Sequence, residues 1–231
     1  MGIDADLRSG LNVWVVVGMN DDETKNITLP KFSELSVRLC AKCDAIPFFS
    51  KHHYLGDKPF RSSRIYKLID TKGSMLGCCV FHGVSAPETC VGAFGLKRNE
   101  QHGIWELGRL ALVPELNGRN YTSWFVSRAI KKLMVEETVA AIISYADSSV
   151  GHIGSIYRAC NAFYCGMSAP KKDFYVNGKI QERGTTKGVY GEWKPRPQKH
   201  RYVWIFDTDL KLKWPVVSCN WRGIPKGVVI K

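Results

Sequence analysis

The sequence predicts one α/β domain of mixed, α+β character, built on a mostly antiparallel central sheet with helices on its flanks and a basic β extension at its C-terminal end. Three observations carry that prediction. Apolar runs rich in Val, Ile, Phe and Cys, separated by Gly, Pro, Asn or Lys clusters, fill residues 65–113. The pattern switches to helical spacing over residues 121–135, where Phe125, Ala129 and Leu133 share a face. Strand and helix patterns then alternate as far as Cys165, the order of a layered α/β unit. The chain has 231 residues, 45% hydrophobic and 23% charged, enough for one sizeable core and unlike a disordered or fibrous composition.

In chain order, residues 12–17 read as a buried strand from their β-branched run. Pro30 with Leu35, Leu39 and Cys43 fits an amphipathic helix opened by a proline in its first turn. Residues 65–69, 77–84, 91–96 and 104–113 form four strands of an antiparallel meander. Pro114 stops the last of them, Asn117-Gly118 turns the chain, and the helix over 121–135 follows. Residues 140–145 are a short buried strand, 156–160 a helix and 163–165 another strand. Asn177-Gly178 between 174–176 and Ile180 is a hairpin signal. Residues 191–201, with Pro195 and Pro197 among charges, read as an exposed loop before a last buried strand over 202–206. No flexible boundary interrupts the chain, so residues 1–231 are expected to form one domain, with 168–201 a basic hairpin and loop insertion.

The longest apolar stretch, residues 11–19, falls short of the ~20 residues a bilayer requires. The N-terminus carries Asp4 and Asp6 where a signal peptide carries bases, so no export, lipid anchor or membrane partner is expected, and the location is cytoplasmic. Eight cysteines include one C-x-x-C, Cys40 and Cys43, and no second pair at that spacing; reduced thiols are the expectation.

Residues 1–170 hold 19 basic and 16 acidic residues, whereas 171–231 hold 14 and 5, so most of the +12 formal charge lies at the C-terminal end. There Lys194, Arg196, Lys199 and Arg201 are interleaved with Trp193, Tyr202, Trp204, Trp214 and Trp221. Cations that neutralise phosphates beside rings that stack on bases favour a nucleic-acid partner. A soluble basic face with aromatics in the core is the alternative.

Three segments gather reactive side chains. His52-His53-Tyr54, after the first helix, offers two imidazoles and a phenol as base, metal ligand or stacking surface. The second segment runs from Glu106 through Arg109 and Pro114 to Asn117-Gly118-Arg119-Asn120-Tyr121-Thr122-Ser123. It passes from strand through turn to helix N-terminus, a place for an anion. Arg109, mid-strand among apolar residues, needs either an acid such as Glu106 or a ligand. The third is Tyr145-Ala146-Asp147 through Gly151-His152-Ile153-Gly154 to Ile156-Tyr157, in which Asp147 ends a strand where open sheets place ligand crevices. Asp147 is there either a site residue or a turn cap, and Tyr157 either a proton donor or core.

The strand Leu110-Ala111-Leu112-Val113-Pro114, the turn and helix after it, the strand ending near Ala146, and Tyr157 before Asn161-Ala162-Phe163 resemble the GCN5-related N-acetyltransferase (GNAT) fold. That resemblance implies two central strands splayed around an acyl-coenzyme A, its pyrophosphate on the loop from Asn117 to Ser123, and Tyr157 as general acid. Asn120 and Thr122 stand where the family's loop usually has glycine. His53-Tyr54, the Leu107-Gly108-Arg109-Leu110-Ala111-Leu112 strand, Arg119-Asn120 with Ser123, and the whole third segment are similar to the Mom family of phage DNA-modification proteins, over roughly residues 45–167.

This second resemblance implies an enzyme that converts adenine in double-stranded DNA to N6-carbamoylmethyladenine and so protects phage DNA from restriction, acting in the host cytoplasm if phage-encoded. It implies Asp147 as a contact to N6-H or a base, and Tyr157 and His53 as proton donors or orienting groups. Tyr54 would stack on the extruded base. Arg109, Arg119, Asn120, Ser123 and His152 would hold substrate and donor, while Lys194, Arg196, Lys199 and Arg201 would contact DNA. The donor is left open between acetyl-CoA or a related acyl donor and chemistry assisted by a redox metal such as iron near His53 and Asp147. Two other classes remain: an acyl-CoA-dependent N-acetyltransferase acting on a small amine or protein, and a non-catalytic DNA-binding protein.

Overall fold

A computed structural model describes residues 29–181 and 188–218. The strand expected at 12–17, Cys219 and Trp221 lie outside them. A seven-stranded sheet in the order β1-β2-β3-β4-β5-β10-β6 forms the body. Its strands are β1 (Ser36–Leu39), β2 (Arg64–Ile69), β3 (Met75–Gly83), β4 (Ile104–Leu112), β5 (Ala141–Asp147), β6 (Phe163–Met167) and β10 (Lys199–Ile205). All pairs are antiparallel except β4 with β5. The expected mixed, mostly antiparallel sheet with flanking helices is thus observed. A second sheet, in the order β8-β7-β9, comprises β7 (Lys171–Val176), β8 (Lys179–Ile180) and β9 (Glu192–Arg196). The helices are α1 (Lys42–His52), α2 (Pro87–Phe94), α3 (Tyr121–Glu136) and α4 (Ser155–Ala159). None is long and apolar enough to cross a membrane.

The pleat sorts the side chains onto two faces. On one, Phe125, Val126, Ala129, Ile130 and Leu133 of α3 pack on Tyr66, Leu68, Phe81, Leu107, Ile142, Tyr202 and Trp204. On the other, α1 covers Ile65, Cys78, Val80 and Ala111, and α2 covers Ile104, Ala141, Ile143 and Val203. Asp147, at the end of β5, follows Ile143 and Tyr145 on this second face.

Three expectations about elements are corrected. The segment from Pro30 to Cys43 is not one helix: a 3-10 turn over Phe32–Glu34 leads into β1, and α1 starts at Lys42. Leu35 and Val37 are both buried, an alternation that suits the sheet edge, where residues 36–39 pair with Ile69 to Tyr66 of β2. Residues 91–96 are the end of α2 and not a strand, because Pro87 fits its first turn and Gly95, at φ 78°, closes it. Cys90, Ala93 and Phe94 are buried at helical spacing. Residues 191–201 are also not a loop, since β9 and the start of β10 run through them. Pro195, without an N-H, is accommodated because β9 is an edge strand. The hairpin at Asn177-Gly178 forms as expected, with φ of 49° and 76°. All seven described cysteines are free.

Candidate active site

Strands β4 and β5 pair only from Ile104–Ala141 to Leu107–Ser144. At the last pair the Ser144 hydroxyl donates to the Leu107 carbonyl at 2.9 Å. Beyond it β4 follows β3 and β5 follows β10, so the sheet opens into a fork. Ser144 satisfies a carbonyl that the parallel ladder no longer serves.

Asp147 ends β5 on one prong. Its Oδ1 accepts the Ser149 amide at 3.0 Å and the Ser149 hydroxyl at 2.6 Å. Its Oδ2 lies 3.4 Å from the donating Tyr54 hydroxyl and 3.2 Å from Lys199 Nζ. Burial favours the neutral acid, but the Ser149 bonds and Lys199 outweigh it and hold the carboxyl below its ordinary range. The turn cap and the site residue are therefore the same group. The loop then passes Gly154, at φ 73°, where a Cβ would collide with the Tyr202 ring; only glycine fits.

Facing Asp147 is the loop after α1. Arg109, 5% exposed on β4, donates from Nη1 to the Gly56 carbonyl at 3.0 Å and from Nη2 to the Lys58 carbonyl at 2.6 Å. Its guanidinium also lies 4.7 Å from the Phe60 ring and 5.7 Å from that of Phe49. No bond to Glu106 forms; Glu106 instead accepts the Ser85 amide at 3.2 Å. Arg109 thus serves the loop that carries His53 and Tyr54.

His53 accepts the Leu55 amide on Nδ1 at 3.1 Å, so its neutral ring carries the proton on Nε2. Burial, aided by Arg109 and His152, pulls its pKa down to about 4. Tyr54 packs on His53 at 4.7 Å and meets His152 edge-on at 5.4 Å. Burial and the Asp147 carboxylate push its phenol up to about 12. His152 is also shifted down by burial, against the pull of Asp147. The site therefore holds a fixed carboxylate, a neutral imidazole and protonated phenols around neutral pH.

Tyr157, on α4, belongs to the opposite face, with its ring 5.2 Å from Tyr202 and 5.7 Å from Trp204. Burial raises its phenol, against a bond with the Ser144 hydroxyl at the fork. Its field also contributes to the rise at Tyr54.

Of the residues expected to hold substrate and donor, Arg119, Asn120 and Ser123 lie together at the start of α3, whereas Arg109 is bound to the loop after α1 and His152 and Tyr54 pack against each other. Asn120 occupies the N-cap position without a side-chain cap bond, the Ser123 hydroxyl donates to the Asn120 carbonyl at 3.0 Å, and Arg119 is exposed beside them. The first helical bond is Trp124 N-H to Asn120, leaving the earlier amides for an anion. Cys160 donates to the Ser123 carbonyl at 3.5 Å and ties α4 to this end of α3.

The four basic residues expected to contact DNA sit in different surroundings. Lys199 pairs with Asp147 and so belongs to the site. Arg196 is bidentate to Asp173, with Nε at 2.9 and 2.8 Å from the two oxygens. Arg201 donates to the Cys165 carbonyl at 2.6 Å and stacks on Trp214 at 4.3 Å. Lys194 is exposed, 2.6 Å from Glu192 and 5.3 Å from the Tyr175 ring centre. Tyr202 and Trp204 are core residues, not stacking platforms, while Trp193 is 58% exposed.

Among the described residues no three His, Cys, Asp or Glu side chains converge to hold a metal ion. The pair expected to do so, His53 and Asp147, is engaged by Leu55, Ser149, Tyr54 and Lys199 and does not fit one. A cavity of about 640 Å³ opens elsewhere, lined by Cys40, Lys42, Arg64 and Glu136 among others, and contains none of the expected site residues. Sequence reasoning missed Lys199 as the partner of Asp147. Their pairing is a matter of β10–β5 register, which no local signal in the sequence announces.

The sequence matches the Mom protein family over residues 34–220. No curated protein matches it significantly. Among solved structures it is similar to an acetyltransferase from Bacillus subtilis in complex with CoA, at 15% identity and a TM-score of 0.46, covering 74% of this chain and 99% of that one. It is likewise similar to a ribosomal-protein-S5-alanine acetyltransferase from Vibrio fischeri, at 13% identity and a TM-score of 0.49, covering 78% and 97%. A spermidine/spermine N-acetyltransferase from Vibrio cholerae is similar at 12% identity and a TM-score of 0.47, covering 75% and 93%.

Proposed function

The chain belongs to the Mom protein family, and we propose from that membership and from the cluster at the fork that it modifies adenine in duplex DNA at N6, giving N6-carbamoylmethyladenine. The observation that carries the reading is Asp147, held ionised by Ser149 and Lys199 at the fork and facing His53, Tyr54 and His152. Adenine N6 is a weak nucleophile because its lone pair is delocalised into the ring, so the amine must be taken out of the stack and oriented. The Asp147 carboxylate accepts a hydrogen bond from the N6 amine and turns its lone pair toward the donor. Tyr54, with its ring edge on His152, offers a face for the base. His53 presents an Nε2-H that bonds to a ring nitrogen or to the donor's developing negative charge. Tyr157, beside Ser144, supplies a proton to the leaving group from the other face.

The donor contributes an electrophilic carbon with a leaving group. The Asn117–Ser123 loop fits an anionic group on the donor, since free amides, Arg119 and the Ser123 hydroxyl gather there. Duplex DNA would lie against the β7–β9 sheet, the basic insertion over 168–201, with Lys171, Lys172 and Lys179 exposed on it. The same fork would also serve N-acetylation of a small amine or protein with an acyl-coenzyme A as donor, whereas the carbamoylmethyl reading needs a donor whose electrophilic carbon is the methylene bearing the carboxamide. Mass spectrometry of nucleosides from cells expressing the protein separates them. A deoxyadenosine derivative with the carbamoylmethyl mass supports the proposal, and unmodified DNA with tight acetyl-CoA binding supports the second reading.

A further inference from the structure

Gly108 is the first residue of β4 beyond the last pair with β5, and it lies in a bulge opposite Val80 and Phe81. A Cβ at this position would collide with Nε2 of His82. The His82 ring, which comes from the neighbouring strand β3, therefore occupies the place a side chain of residue 108 would take and lies across β4 at the mouth of the fork. Its Nδ1 is 2.8 Å from the Gly83 carbonyl oxygen. A carbonyl has no proton to give, so Nδ1 carries it, and the lone pair of the neutral ring is on Nε2. The residue is only 8% exposed, and among the described residues nothing donates to that Nε2. Among the described residues the sealed side-chain atoms without a partner are Arg158 Nε and Arg201 Nε; His82 Nε2 is not one of them and keeps some contact with solvent.

The groups already placed at the site leave one role unfilled. Asp147 is committed as a stabilised anion to Ser149, Tyr54 and Lys199, which makes it a weak base, and His53 has its acceptor nitrogen on Leu55 and its other nitrogen protonated. The attacking amine must lose a proton, and neither Asp147 nor His53 is poised to take it; His152, the other neutral imidazole there, packs edge-on against Tyr54 beside Asp147. We propose that His82 is a catalytic residue whose Nε2 accepts that proton. The proposal rests on the adenine-modifying reading above. As the amine nitrogen bonds to the donor carbon, the bond from that carbon to its leaving group breaks and the electron pair goes with the leaving group. The carbon attacked is the methylene that bears the carboxamide; the amine proton passes to His82 Nε2, the departing group takes its proton from Tyr157, and the two residues return to their starting states by exchange with solvent. Glycine at 108 is what lets an imidazole from the next strand reach this point.

The test compares the unaltered protein with His82→Ala and Gly108→Ala in lysate that supplies the donor, with added duplex DNA and modified deoxyadenosine read by mass spectrometry. Thermal melting checks that each variant is folded. General-base loss predicts a fall of about 100-fold or more for His82→Ala. Added imidazole, which fits the space left against Gly108, is expected to recover the rate about tenfold, and a purely structural histidine would not respond in this way. Gly108→Ala pushes the ring off the fork with its chemistry intact and is expected to lower the rate comparably, which keeps the test sound if His82→Ala fails to fold. An unimpaired His82→Ala, or a folded His82→Ala that imidazole does not revive, overturns the proposal. No modification by the unaltered protein overturns the adenine reading and the proposal with it.

Discussion

Asp147 and His53 carry opposite electrostatic settings that pH can separate. The folded pKa of His53, about 4, lies below its unfolded value near 6.5. The unfolded chain therefore takes up that proton first as pH falls. Stability from this group is complete above about pH 6.5 and is lost progressively toward pH 4. His53→Gln, whose amide oxygen can accept from Leu55, should melt with a flatter dependence between pH 7 and 4.5; curves that fall in parallel would refute the shift. Asp147 is also lowered, so its contribution is present above its unfolded pKa and is lost as pH falls through the lower folded one. Asp147→Asn keeps the shape but not the charge. It should reduce modification by about 100-fold or more while DNA binding measured by fluorescence anisotropy persists. Arg109 acts one step back, through the loop it clamps. Arg109→Lys cannot reach both carbonyls and leaves one unpaired, for about 1–3 kcal/mol in a denaturation midpoint and faster proteolysis within residues 53–58.

At the level of elements, the sequence made legible those parts whose signals are local. The helix Tyr121–Glu136, strand Ala141–Asp147, the Asn177-Gly178 hairpin and the strand around Cys165 follow from periodicity and turn chemistry. It misled where two periods fit one stretch. Val91 and Phe94 look strand-like, but Pro87 and Gly95 frame a helix, and Leu35 with Leu39 suits a helix until Val37 is seen to be buried at the sheet edge. The candidate site was named from three segments, of which the first and third are brought into contact through Tyr54, Asp147 and His152. What was not legible is long-range: Lys199 reaching Asp147, Arg109 reaching Gly56 and Lys58, and His82 lying over Gly108 all depend on register and bulges set between distant strands. The β7–β9 sheet gives a prediction of its own. Its exposed Lys171, Lys172 and Lys179 are free to meet phosphates, whereas Arg196 is bound to Asp173. Replacing the three lysines with alanine should lower the slope of log affinity against log salt for duplex DNA by about 0.9 for each phosphate that is no longer neutralised. Arg196→Ala should change melting more than the slope.

For the whole molecule, the fork joins the two faces of the sheet. On one face Asp147, Tyr54, His53 and Lys199 meet, and on the other Tyr157 packs on Tyr202 while Cys160 ties α4 to the start of α3. A nucleophile approaching from the first and a donor lying along the second would meet where β4 and β5 part. The basic C-terminal region supplies charge beside the first face through β10, whose Lys199 is both the edge of that region and the partner of Asp147. The measurement that bears most directly on this account is nucleoside mass spectrometry of DNA from cells expressing the protein, run beside Asp147→Asn at matched soluble expression. The account predicts a carbamoylmethyl-deoxyadenosine peak with the unaltered protein and its loss in the variant. Unmodified deoxyadenosine in both, or an undiminished peak in the variant, would contradict it.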